Sequence, residues 1–227
     1  MCLLVPFIYN GSMKIIALTG PFGAGKTTLV QLLAAQLRSS GATVSIIALD
    51  EVSRAVIDAD AHLRAELARA FGKDILHTDG SLDRRALAHA AFASDAATAQ
   101  LNALVHPPTI KRAGALLAHA ATSSDLAIIE SPFPLSYLAE IITGVEESVQ
   151  IWTVSASKDI RLLRALADGY LREDAAARMQ RQPHASAYQQ EAACVVKNEG
   201  TLDDARREVR ACLQTSGLVK TDEPKTA

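Results

Sequence analysis

With 227 residues, 49% of them apolar and 4% aromatic, the chain is long enough for one full-sized domain and too apolar to be disordered. A net charge of -2 gives no basic excess, which argues against nucleic acid as the main partner. No apolar run approaches the ~20 residues of a membrane helix, so no membrane is expected either. Cys2, Cys194 and Cys212 are scattered, odd in number and form no CxxC pair. That pattern argues against a zinc site or a disulfide framework and suits a reducing cytoplasm.

Met1 to Ser12 carries an apolar patch, Leu3 to Ile8, without the basic start of a signal peptide. It reads as an extension ahead of an alternative start at Met13, or as a cloning remnant. Lys14 to Thr19 (KIIALT) is a short apolar run that predicts a buried strand. Gly20 to Thr28 (GPFGAGKTT) follows and fits G-x-x-x-x-G-K-[ST]. Thr28 to Leu37 then spaces Leu29, Leu33 and Leu37 four apart, as a helix does.

Strand, glycine-rich turn and helix are the setting a phosphate-binding loop requires. Glycines let the backbone bring several N–H groups onto phosphate oxygens, and the helix N-terminus adds its positive end. Lys26 can reach the β- and γ-phosphates, and the Thr27 hydroxyl can ligate Mg²⁺. An ATP-type ligand is therefore expected on Gly23, Ala24, Gly25, Lys26, Thr27 and Thr28.

Ser39-Ser40-Gly41 stops the helix, and Val44 to Leu49 predicts a second strand ending at Asp50. Glu51 to Ala70 predicts two helices broken near Asp58 to Ala61. Asp79-Gly80 is a turn, with Ser81 as N-cap of a helix over Leu82 to Ala93. Further helices are expected from Asp95 to Val105, ending at His106-Pro107-Pro108, and from Thr109 to about Ala121. Leu126 to Glu130 predicts the third strand, and Ser131-Pro132-Phe133-Pro134 a rigid turn. A short helix over Leu135 to Ile142 and a fourth strand over Val149 to Val154 come next. Ser157 to Asp168 and Arg172 to Gln182 predict two helices, Val195-Val196 a last strand, and Thr201 to Leu213 a closing helix. The tail from about Thr215 is polar and expected to fray. Alternation of strands and helices predicts an α/β fold, with ligands outside the carboxyl ends of parallel strands.

Asp50 and Glu130 stand at such ends. A carboxylate at Asp50 can accept a proton from an attacking hydroxyl, or simply cap a helix. Glu130 can orient Mg²⁺ or its waters. Arg161, Arg164, Arg172, Arg178 and Arg181 cluster in two adjacent helices. They read as a lid that neutralises phosphoryl charge, or as a solvated face. His106 reads as a helix-end residue or a ligand contact.

Several segments together resemble the dephospho-coenzyme A kinase family. They are LTGPFGAGKTT, ALDEVSR with Asp50 and Arg54, and GSLDRRAL (Gly80 to Leu87) leading to Phe92. Leu101 to Pro107, Arg178 to Gln182, and Asn198 with Gly200 complete the set. The resemblance spans about Met13 to Leu213. It implies a P-loop kinase with a five-stranded parallel sheet of order 2-3-1-4-5. Residues 13–54 and 122–213 would form the core, 55–121 a helical acceptor-binding insertion, and 158–185 the lid. Residues 1–12 and 214–227 would be extensions.

The implied reaction moves the γ-phosphate of ATP, with Mg²⁺, to the ribose 3′-hydroxyl of dephospho-CoA. Asp50 would be the base, Lys26 and Arg164 the catalytic cations, and Asn198 a nucleotide contact. Arg54, Arg84, His106, Glu130 and Pro132 would hold the acceptor with Asp50. A cytoplasmic monomer or small homo-oligomer is implied. Ala48 stands where the family carries a first aspartate, and Asp168 where it carries a second lid arginine. Two other readings therefore stay open: a related nucleoside or metabolite kinase, and an ATP- or CoA-binding regulatory protein.

Overall fold

The computed structural model describes Phe7 and residues 12–132, 136–143, 149–190 and 192–220. Five strands form one parallel sheet in the order β2-β3-β1-β4-β5, as the resemblance implied. They are β1 (Lys14–Thr19), β2 (Val44–Ala48), β3 (Leu126–Glu130), β4 (Val149–Ser155) and β5 (Cys194–Lys197). Leu18 pairs with Glu130 on one side and with Trp152 on the other, and Ala48 also pairs with Glu130. The carboxyl ends of β1, β2 and β3 therefore lie level.

Two compact units are present: Met1–Ala48 with Leu117–Ala227, and Leu49–Leu116. In the first, α1 (Lys26–Ser39) and α10 (Leu202–Thr215) share one core with the sheet. Ile16, Leu18, Leu126, Ile128, Trp152 and Val154 alternate along their strands, so one sheet face meets Leu29, Leu33, Val209 and Leu213. All six are wholly buried, and so are Ile15, Ala17, Ala127 and Ile129 between them on the other face, which explains why β1 and β3 read as continuous apolar runs. In the second unit, α2 (Leu49–Ala59), α3 (Ala61–Phe71), α4 (Arg84–Ala91) and most of α5 (Asp95–Ala121) enclose Ile57, Leu63, Leu67, Leu87 and Val105.

Several expectations need correction. β2 ends at Ala48, because buried Leu49 already belongs to the helical spacing of Val52 and Ile57. Asp50 therefore lies inside the first turn of α2 and is not its N-cap. The break expected near Asp58 to Ala61 is found at Asp60, whose carboxylate accepts from the His62 and Leu63 amides. α4 is capped by Asp83, not Ser81, which instead bonds Asp79 while Leu82 bridges to Leu76. α5 does not stop at the two prolines and runs through them. Pro107 and Pro108 supply no N–H, yet Thr109 is buried and its hydroxyl donates to the Val105 carbonyl at 2.7 Å. α9 (Ala185–Gln189) was not foreseen. It follows α7 (Lys158–Ala167) and α8 (Arg172–Gln180).

The cysteine argument is also overturned. Cys194 and Cys212 are joined as a disulfide with their Cα atoms 6.0 Å apart. α10 returns antiparallel to β5, so its last turns come back beside the start of that strand. Spacing of 18 residues hides this proximity in the sequence. The cysteines therefore give no argument for a reducing compartment. The expected fraying from Thr215 is corrected as far as Lys220, since Leu218 and Val219 are buried and Val219 bridges to Phe7, while residues 221–227 lie outside the described residues. Phe133, Pro134 and Leu135 lie outside the described residues. α6 is described over Ser136–Ile142.

Candidate active site

The loop between β1 and α1 has the backbone that phosphate binding needs. Gly23 and Gly25 hold φ of +75° and +88°, a region that disfavours side chains. Space is closed to them as well. A Cβ on Gly23 would stand 2.6 Å from the Arg161 carbonyl oxygen, and one on Gly25 would run into the Asn198 amide. Buried Ala24 lies between them, and its carbonyl is the anchor of the loop. Asn198 Nδ2 donates to it at 2.8 Å and Arg164 Nη1 at 3.1 Å. Arg164 Nη2 also donates to the Asn198 carbonyl at 2.9 Å. The end of β5 and the helix α7 are thus tied to one carbonyl of the loop.

Lys26 Nζ donates to the carbonyls of Gly20 and Pro21, at 3.0 and 3.3 Å, so the ammonium is folded over its own loop. The exposed Thr27 hydroxyl donates to Glu130 Oε1 at 2.6 Å. Hydroxyl and carboxylate are hard oxygen donors, the kind Mg²⁺ takes beside phosphate oxygens and water. Among the described residues no group of three or more His, Cys, Asp or Glu could cage a metal. A Mg²⁺ ion carried with phosphates fits that donor set, because it needs only one or two protein ligands.

Asp50 is exposed two residues beyond β2, and Arg54 is exposed one turn along α2. Both belong to the Leu49–Leu116 unit. In the same unit Arg84 Nη2 reaches both carboxylate oxygens of Asp58, at 2.7 and 2.6 Å. His106 is half-buried in α5, and burial lowers its pKa to about 4. It is a neutral imidazole at pH 7, able to hydrogen-bond but not to offer charge to a phosphate. Pro132 is half-buried just after β3, where the buried Ser131 amide donates to Leu18.

Sequence reasoning missed the contacts around Phe22. Its amide donates to Gln182 Oε1 at 2.7 Å, and Arg161 Nη1 reaches its carbonyl at 3.4 Å. Burial pushes Arg161 below its usual range, with Tyr188 acting against that shift. Its Nε is buried without a partner among the described residues. No local pattern announces contacts 160 residues apart.

Residues 14–204 match the family model of dephospho-CoA kinase. A dephospho-CoA kinase of Moorella thermoacetica is 33% identical over 94% of this chain and 97% of the relative. One of Corynebacterium glutamicum is 32% identical over 85% and 92%. A crystal structure of a Thermus thermophilus protein superposes with a TM-score of 0.65 at 28% identity, covering 89% of this chain and 97% of the other. A dephospho-CoA kinase from Campylobacter jejuni, 20% identical, shares the fold with a TM-score of 0.58, over 92% of this chain and all of the other (100%). The chain belongs to the dephospho-CoA kinase family.

Proposed function

We propose that this protein transfers the γ-phosphoryl group of ATP to the ribose 3′-hydroxyl of dephospho-CoA, giving coenzyme A and ADP. The observation that carries the reading is the family match over residues 14–204, which includes the whole phosphate loop. Loop amides from Gly23 to Thr28 would receive the phosphates, and Lys26 would leave the Gly20 and Pro21 carbonyls for the β- and γ-oxygens. Thr27 and Glu130 would hold Mg²⁺, which when bound offsets phosphate charge. Asp50 would accept the 3′-hydroxyl proton as the new O3′–P bond forms and the bond to the leaving ADP oxygen breaks.

Arg164 keeps the loop in shape through Ala24 and Asn198. In this reading its charge also offsets charge on the transferring group. Asn198 would line the nucleotide side. Arg54, Arg84, His106 and Pro132 would contact the acceptor. Arg84 would first release Asp58, an exposed pair whose loss costs about 0–1 kcal/mol. A cytoplasmic location belongs to this proposal. It rests on the family; no helix among the described residues is long and apolar enough to cross a membrane.

The test is ADP release with dephospho-CoA, uridine and adenosine offered in turn. Turnover confined to dephospho-CoA is the expected result. Asp50→Asn should bind ATP with unchanged affinity and lose at least about a hundredfold in kcat, the usual contribution of a general base. Normal turnover by that variant would remove Asp50 from the role. ATP binding without ADP formation by the wild type would move the chain to the regulatory-protein reading.

A further inference from the structure

Phosphate chemistry explains the glycines, Lys26 and Thr27, but it does not ask for an aromatic ring at Phe22. Yet every group of Phe22 is gripped by the same hairpin, α7 and α8. The amide donates to Gln182, two residues past α8, at 2.7 Å. The carbonyl accepts from Arg161 of α7 at 3.4 Å. The ring meets Tyr170, in the turn between the helices, edge to face with centroids 5.0 Å apart. The Arg178 guanidinium of α8 lies 4.5 Å from the centroid of the same ring and 6.0 Å from that of Tyr170. Arg178 also reaches the Tyr170 hydroxyl at 3.4 Å. Arg178 is exposed, and no carboxylate pairs with it among the described residues. Its ordered partners are two aromatic rings and a phenol.

We infer that Phe22 is a positioning residue. It is an aromatic peg on the phosphate loop that holds the α7–α8 hairpin closed over the nucleotide site before nucleotide arrives. The inference rests on the proposed reading only in taking ATP as the nucleotide. Ring-on-ring and cation-on-ring contacts are geometry-dependent attractions that an aliphatic side chain of similar bulk does not supply. A hairpin held closed spares the nucleotide the work of closing it. The apparent affinity equals the intrinsic affinity scaled by the closed fraction. Loss of the ring should therefore appear first in nucleotide affinity. At saturating ATP the nucleotide itself closes the hairpin, so kcat should fall much less.

The experiment measures binding of a non-hydrolysable ATP analogue by calorimetry, beside the kcat and KM for ATP. Phe22→Ala should weaken the analogue about tenfold and raise the KM for ATP to match, with the smaller change in kcat. Phe22→Leu should behave like Phe22→Ala, and Phe22→Tyr should restore wild-type affinity. Arg178→Ala should weaken binding similarly, and the double variant Phe22→Ala/Arg178→Ala no more than the weaker single one. Urea midpoints of the Leu and Tyr variants, which keep the packing volume, guard against simple misfolding. Unchanged analogue affinity in Phe22→Ala overturns the inference. So does full rescue by Leu, or a double variant whose loss is the product of the two. The calorimetric readout needs no acceptor. A wild type that binds the analogue but leaves dephospho-CoA untouched would sink the proposed activity alone, while the variant series still decides the peg.

Discussion

At the scale of single residues, position along a strand told more than residue type. Lys26, Thr27 and Glu130 were singled out because Lys26 and Thr27 open α1 after the glycine loop and Glu130 ends β3, and the Thr27–Glu130 hydrogen bond brings two of them together. Arg164 was expected as a lid cation, and its tie to the Ala24 carbonyl went unread, since no sequence rule names a backbone partner 140 residues away. His106 illustrates a residue whose environment decides its chemistry. Burial lowers its pKa from 6.5 to about 4, so the folded protein keeps it neutral while the unfolded chain protonates it. Between those two values the unfolded state binds more protons, and stability falls as pH drops through the window. Half-burial screens part of the effect, so the loss should be on the order of 1 kcal/mol. Urea unfolding at pH 7 and pH 5 should show it. His106→Asn should flatten the difference, and an unaltered pH dependence in that variant would assign the acid sensitivity elsewhere.

At the scale of elements, strands were read well and helix ends poorly, for a physical reason. KIIALT and LAIIE are buried on both faces, so their apolar runs have no solvent-facing gaps to confuse the pattern. Helix ends depend on single capping groups. Asp83 and Ser81 are both good caps by type, and only the geometry selects Asp83. α5 shows the opposite case, where tertiary burial of Val105, Thr109, Ala113 and Leu117 carries a helix across two prolines that local rules would use to end it. The disulfide is a property of an element pair, β5 with α10, and its effect should be sizeable. A cross-link over a separation of 18 residues is worth about 3 kcal/mol in the loop-entropy picture. Reduction by a strong dithiol should lower the urea midpoint accordingly, and Cys212→Ala should be insensitive to the same reductant. Equal midpoints for the oxidised and reduced wild type would show that the bridge adds nothing to stability.

At the scale of the whole molecule, the loop proposed to bind nucleotide belongs to one compact unit, while Asp50, Arg54, Arg84 and His106, proposed for the acceptor, belong to the other. The second unit has its own core, with Ile57, Leu63, Leu67, Ile75, Leu87 and Val105 packed among themselves. A unit with a core of its own can open locally, since local stability follows the contacts broken in opening. Nucleotide linkage offers a way to see this. A ligand held at 100 times its Kd stabilises the state that binds it by about 2.7 kcal/mol, which slows exchange through that opening roughly a hundredfold. Native-state hydrogen exchange with the ATP analogue should therefore slow the amides of β1, β3 and β4 by about that factor. The amides of α3 and α4 should keep their rates, because they exchange through opening of the Leu49–Leu116 unit with the loop still occupied. Equal slowing of all of these amides would mean that the two units open only together, and that nucleotide bound at Gly20 to Thr28 stabilises the acceptor-side residues as strongly as its own cradle.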